Sequence, residues 1–178
     1  CLLDAKAKKA DCTLAFLDVS KAFDKVGHGH IEACLDSQGV SSNLKRAIMR
    51  LLVDNQIVVQ TGRQRSDPIP IRRSVPQGGP LSPTLFNMAV NHIYEEVCEP
   101  QYANQFGYSL HPDLDAVSLT GFADDKVVSS KSTEGAAKIS KLVKDGFLKI
   151  GLEINPRKST GIQIRGGRMF SGQIEIGD

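Results

Sequence analysis

Residues 116–130 read AVSLTGFADDKVVSS, and the fold turns on how that stretch is taken. Apolar and β-branched runs lie on either side of Asp124 and Asp125. Residues 116–122 and 126–130 are therefore expected to be two strands joined by a tight acidic turn. Side chains alternate along a strand, but at a tight turn two neighbours can lean toward one site. A solvated turn would account for an isolated Asp-Asp pair. Here Phe122 and Ala123 precede the pair and Val127 and Val128 follow it. A turn with such apolar flanks is a poor place for two unpaired carboxylates.

Working outward, TLAFLD (13–18) reads as a buried strand that ends in Asp18, where a charge is costly unless something compensates it. Residues 28–38 form a short helix that Gly39 would terminate. A second helix starts after Ser41 or Ser42 and carries Leu44, Ala47, Ile48, Leu51 and Leu52 on one face. QIVVQT (56–61) and IPIRRSV (69–75) suggest a hairpin. Residues 81–98 give the clearest helix, because Leu81, Leu85, Ala89, Ile93 and Val97 recur every four residues. Residues 101–115 look like a polar surface loop. A helix over 134–150 turns Ala136, Ile139, Leu142, Val143, Phe147 and Ile150 inward and stops at Gly151, and strands near 161–165 and 172–176 close the pattern. Mixed elements with short turns between strands predict an α+β fold, an antiparallel sheet with helices packed on one face.

The chain has 178 residues, a length that suits one domain with a real core. With 40% hydrophobic and 24% charged residues it has an ordinary globular balance, and no apolar run is long enough to cross a membrane as a helix. CLLDAKAKK (1–9) has the charge of a helix end and not of a signal peptide, and the abrupt start and end (GQIEIGD, 172–178) suggest a segment of a longer polypeptide. The net charge of +2 does not by itself announce a nucleic-acid binder. The local cluster Arg63, Arg65, Arg72 and Arg73, opposed only by Asp67, could face phosphates or simply be a solvated hairpin. The cysteines, Cys1, Cys12, Cys34 and Cys98, form no CxxC pair, which argues against a zinc framework and fits reduced thiols in an intracellular protein. His28, His30 and Cys34 lack a fourth ligand and do not make a zinc site.

Asp18, Asp124 and Asp125 at strand ends form a hard oxygen donor set of the kind magnesium takes, one or two carboxylates completed by waters and phosphates. Two such ions about 3.5–4 Å apart stabilise both the attacking and leaving oxygens of a displacement. SVPQGGPLSPTLFN (74–87) is a stiff Pro/Gly loop that enters the long helix, with Pro83 tolerated in its first turn. Its glycines allow a nucleic-acid strand or base pair to approach closely, and Gln77 offers both donor and acceptor.

These stretches carry a family resemblance. LDVSKAFDKV (17–26) resembles motif A of reverse transcriptases, SVPQGGPLSPTLFN motif B, FADD (122–125) motif C and GLEINPRKS (151–159) motif D. Their order matches, and Asp18 and Asp124 are 106 positions apart (124 − 18). The form most resembles the site-specific, non-LTR (LINE-type) retrotransposons, with group II intron enzymes as the nearest alternative. The resemblance implies a ferredoxin-like polymerase palm over residues 1–178, with the fingers largely and the thumb entirely outside it. It implies an RNA-directed DNA polymerase that transfers deoxynucleotides to a primer 3′-hydroxyl during retrotransposition. Two Mg²⁺ ions, replaceable by Mn²⁺, would be held by Asp18, Asp124, Asp125 and the carbonyl of Val19. Lys21 and Ala22 would contact the triphosphate through their backbone. Phe23 would crowd a 2′-hydroxyl and exclude ribonucleotides. Gln77 would lie beside the nascent base pair, Gly78 near the template, and Arg72 and Arg73 along template or primer. Lys158 would donate a proton to departing pyrophosphate. The implied partners are an RNA template, a DNA primer or target, dNTPs and the rest of the parent polypeptide, including any fused endonuclease, but no membrane. The implied location is intracellular, with a nuclear site of action and a cytoplasmic ribonucleoprotein stage.

Two features depart from the family. Lys126 stands where an apolar residue is usual, and it is expected either to point to solvent or to pair with one of the aspartates. GHGH (27–30) replaces the usual serine-histidine-aspartate run. With fingers and thumb missing, the isolated segment is expected to have little activity. A non-catalytic, nucleic-acid-binding palm relic is the competing reading. An RNA-directed RNA polymerase is a third, against which Phe23 argues.

Overall fold

A computed structural model describes residues 1–172. In chain order the elements are α1 (Leu2–Lys8), β1 (Cys12–Asp18), α2 (Ala22–Lys25), α3 (His28–Ser37), α4 (Ser42–Val53), β2 (Gln56–Ile57), β3 (Gln60–Thr61), β4 (Gln64–Arg65) and β5 (Ile69–Pro70). Then follow α5 (Ser82–Cys98), α6 (Pro100–Phe106), β6 (Leu119–Phe122), β7 (Asp125–Ser130), α7 (Thr133–Lys149), β8 (Thr160–Arg165) and β9 (Arg168–Gly172). They form two compact units, Cys1–Ser20 with Val90 onward, and Lys21–Ala89.

The first unit is built on a five-stranded sheet in the order β6-β7-β1-β8-β9, antiparallel throughout. The most apolar strand, β1, is central, paired along both edges by β7 and β8. Its side chains alternate. Ala15 and Leu17 share one face with Val128 and Lys126 of β7, opposite which they are paired. On this face α7 packs over β1 and β7, burying Ala136, Ile139, Val143, Gly146 and Phe147 at helical spacing. Gly146 lets α5 come close: a Cβ there would lie 3.0 Å from the side chain of Ile93. The other face of β1 carries Cys12 and Leu14, which cluster with Ile164, Tyr108 and Ala5 of α1. The predicted antiparallel sheet with helices is thus present, and α1 adds a short cover on the second face.

Local signals set the ends of α7. Ser132 caps it, its hydroxyl accepting from the Gly135 N–H at 3.0 Å, and Gly151 leaves it with φ +78°. Ser41 occupies the N-cap position of α4 without making a side-chain cap bond.

In the second unit, α3 and α4 pack together. The expected hairpin exists only as two short exposed ladders, β2 with β5 and β3 with β4. Phe23 of α2 stacks on Phe86 of α5, ring centroids 5.0 Å apart, and the Val75 N–H donates to the Phe23 carbonyl at 2.9 Å.

Two expectations are corrected. Residues 101–115 are not all loop, because α6 occupies Pro100–Phe106. Glu99 sits at its N-cap position and Pro100 in its first turn, where a fixed φ favours helix. Tyr102 and Phe106 meet four residues apart, and Ala103 is buried. Three apolar contacts in seven residues leave too faint a periodicity to read. The last strand comes earlier than expected, at Arg168–Gly172, because Gly166 and Gly167 both have positive φ and make a two-residue turn directly after β8. Except for Gly172, the expected 172–176 strand lies outside the described residues.

Phe147 of α7 is fully buried. Phe147→Ala should lower unfolding free energy by about 3–5 kcal/mol in chemical denaturation. A loss under about 1 kcal/mol would mean that α7 does not anchor this core.

Candidate active site

Asp18 closes β1 and Asp125 opens β7, and the two are direct cross-strand partners. Such partners have Cα atoms about 4.5–5.5 Å apart and project side chains from the same face. That face is the one opposite α7. Asp18 is half-buried, and Asp124 and Asp125 are exposed. Ala123 and Asp124 form the two-residue turn between the paired Phe122 and Asp125. Ala123 has φ +51°, a left-handed conformation that a non-glycine residue adopts at a cost. The register therefore brings Asp18 to Asp125, while Asp124 stands at the adjoining tip.

The segment after α7 holds Asp18 by both backbone groups. The Asn155 N–H donates to the Asp18 carbonyl at 2.7 Å. The Asp18 N–H donates to Ser159 Oγ at 3.2 Å, and that hydroxyl donates to the Asn155 carbonyl at 2.8 Å. Ser159 is buried. Val19 bridges to Ile154, and the Ser20 N–H donates to the Glu153 carbonyl at 2.8 Å. Arg157 and Lys158 are exposed on the turn between Asn155 and Ser159, so Lys158 is tied through the chain to the strand end that bears Asp18.

Lys126 corrects an expectation. It neither points to solvent nor shares a face with Asp125. Alternation puts it on the α7 side of the sheet, 2% exposed. Its ammonium donates to the Ala123 carbonyl and lies 5.4 Å from the centroid of the Tyr94 ring. Burial pushes its pKa down to about 8, against the opposing pull of Asp124 and Asp125. Burial likewise pushes the Tyr94 phenol up, so it stays neutral.

Among the described residues, no three His, Cys, Asp or Glu side chains are gathered into a ready-made metal cluster. The donors nonetheless fit a hard divalent cation. Asp18 and Asp125 supply two facing carboxylates on an exposed face, and magnesium commonly takes one or two, with waters and phosphates completing its shell.

The other sequence candidates belong to the second unit. Lys21 is exposed with φ +49° at the start of α2, and Ala22 is buried. Phe23 is half-buried against Phe86. Gln77 is exposed and its amide nitrogen donates to Asp24 at 3.4 Å. Gly78 has φ +84° with open space where a Cβ would stand, so it is the backbone angle that favours glycine there. Arg72 and Arg73 are exposed.

Sequence reading missed Asn155, Ser159, Tyr94 and Gly121. Asn155 and Ser159 lie inside a quoted motif, GLEINPRKS, in which the charged Arg157 and Lys158 are the obvious chemistry. Gly121 is paired with Lys126, and a Cβ on it would sit 2.1 Å from the Tyr94 hydroxyl. A glycine just before an apolar-acidic turn was the available signal.

Comparison with known proteins gives concordant results. A family model described as "Reverse transcriptase (RNA-dependent DNA polymerase)" matches residues 2–169. The chain is 30% identical over 146 residues to a "Retrovirus-related Pol polyprotein from type-1 retrotransposable element R2" of Popillia japonica, covering 82% of this chain and 23% of that protein. A protein of the same description from Nasonia vitripennis is 28% identical, over 87% of this chain and 14% of its own length. The chain thus spans less than a quarter of these relatives. Among solved structures, apo telomerase from Candida tropicalis superimposes with a TM-score of 0.67 at 10% identity, over 97% of this chain and 35% of that one, a likeness of fold.

Two outcomes are expected of variants at this site. Asp125→Asn should raise stability in EDTA by about 0.2–1 kcal/mol, since like charges directly opposite on neighbouring strands repel. A drop in the denaturation midpoint would contradict the facing arrangement. Ser159→Ala should cost about 1–3 kcal/mol by leaving the half-buried Asp18 N–H without its partner, whereas a neutral result would mean that Ser159 does not pin Asp18.

Proposed function

The chain belongs to the reverse transcriptase family, and from that premise we propose that it is the palm of an RNA-directed DNA polymerase encoded by a non-LTR retrotransposon. The observation that carries this reading is the pairing of Asp18 with Asp125 beside Asp124 at the turn. The R2 elements named for its relatives favour the non-LTR source over a group II intron.

In this reading Asp18, Asp124, Asp125 and the carbonyl of Val19 would hold two Mg²⁺ ions, for which Mn²⁺ would substitute. When bound, these supply Lewis-acid activation of a primer 3′-hydroxyl and neutralise charge on the leaving pyrophosphate. The protein's own part is positioning. Asn155 and Ser159 fix the backbone of Asp18, so its carboxylate needs little reorganisation. Lys158, exposed on the adjoining turn, is the candidate proton donor to pyrophosphate. Phe23, braced by Phe86, is the candidate gate against a 2′-hydroxyl. The backbone of Lys21 and Ala22 would meet the triphosphate, Gln77 the nascent pair, Gly78 the template, and exposed Arg72 and Arg73 the phosphates of template or primer.

The substrates are then dNTPs, an RNA template and a DNA primer, and fingers, thumb and any endonuclease would come from the rest of a longer parent acting in the nucleus. The relic reading draws on Lys126 and on the missing fingers and thumb; the Lys126 side chain lies on the opposite face of the sheet, within electrostatic reach of Asp124 and Asp125.

The test is magnesium-dependent dNTP incorporation on poly(rA)·oligo(dT) by the chain with its natural flanks. Asp124→Ala should lower the rate by at least ~100-fold, and the 178-residue chain alone should show little synthesis. An inactive parent, or a mutant equal to it, removes the polymerase assignment. Phe23→Ala should lower the preference for dTTP over UTP by roughly tenfold or more, and an unchanged ratio leaves Phe23 as a core aromatic only.

A further inference from the structure

A buried lysine directly beneath a carboxylate-bearing turn is unusual. Lysine is seldom fully buried, and burying its charge opposes folding. An apolar residue would pack between Tyr94, Leu17 and Gly121 at less cost. The surroundings are nonetheless shaped to admit this one. Gly121, its cross-strand neighbour, has no side chain, and a Cβ there would come within 3.0 Å of Lys126 Cδ. The Tyr94 ring lies under the ammonium, 5.4 Å away, where an aromatic face attracts a cation. The ammonium donates to the carbonyl of Ala123, the turn residue with φ +51°. The next residue is Asp124.

We propose that Lys126 is a positioning residue: its buried ammonium holds the Ala123 carbonyl, keeps the turn in its left-handed conformation, and so fixes the direction in which Asp124 leaves the hairpin. The role follows from connectivity. Ala123 and Asp124 share a peptide plane, so the orientation of the Ala123 carbonyl sets the orientation of the Asp124 N–H and limits where its Cα points. A two-residue turn with a non-glycine at positive φ is prone to relax to other turn types. A charge-assisted hydrogen bond from below opposes that relaxation. The arrangement lowers global stability and increases local order, the pattern expected at a functional site. The consequence for catalysis rests on the polymerase reading, but the structural role does not.

Lys126→Met keeps most of the stem and removes the charge and the donor. Amide hydrogen exchange of the 178-residue chain would be compared with the unmutated chain, alongside thermal unfolding. The proposal expects the Phe122 and Asp125 amides, the pair that closes the turn, to exchange about tenfold faster, with those of the β1–β8 ladder unchanged and the unfolding midpoint unchanged or raised. In the active parent, Lys126→Met should lower kcat for dNTP incorporation by about tenfold, with dNTP KM within about twofold. Unchanged exchange at Phe122 and Asp125 overturns the proposal whatever the activity. Faster exchange across the whole sheet with a lowered midpoint, or failure to fold, makes Lys126 a structural residue and overturns it too. If the unmutated parent does not polymerise, the polymerase assignment fails, while the exchange experiment still decides the role of Lys126.

Discussion

The arrangement of the first unit depends on the register between β1 and β7. With Asp18 opposite Asp125, Phe16 faces Val127 and Ala15 faces Val128. A slip of one residue would turn Asp18 toward α7 and expose Leu17 on the open face, exchanging a buried apolar side chain for a buried charge. The apolar pairs further along the strands therefore dictate where the carboxylates must sit. Placing two carboxylates opposite one another works against that register, while the apolar core beneath α7 favours it.

Around that register the chain has gathered devices that reduce freedom at one end of the sheet. Asn155 and Ser159 hold Asp18 from the side of β8. The Ala123 turn and the lysine below it limit the other strand. All of these contacts act on backbone. Such a scaffold resists the spreading that neighbouring like charges favour.

Much of this was legible in the sequence for a physical reason. The continuous apolar run in TLAFLD and the apolar runs around ADD, together with fourfold spacing in 81–98, report burial directly, and those elements stand where expected. The carboxylates were legible because charge beside apolar residues needs explanation. Other features were not. The hydrogen bonds of Asn155 and Ser159 depend on contacts across more than a hundred positions, to which local pattern is blind. The helix at Pro100–Phe106 is too short for periodicity to show. The burial of Lys126 is hidden because its charge suggests solvent and its valine neighbours read simply as apolar flanks. Counting two residues from Val128, whose side chain is fully buried, leads to Lys126 on the same face.

The central strand of the sheet is made well before either strand that pairs with it. β1 has β7 and β8 as its neighbours, and Asp18 and Asp125 are 107 positions apart (125 − 18). At ribosomal speeds of about 5–20 residues per second, the strand waits roughly 5–20 s for its first partner. During that wait CTLAFLD is an apolar, β-prone segment with both edges open. The sheet closes only after β7 and β8 have emerged, so Asp18 meets Asp125 through a long-range pairing of the kind that forms slowly.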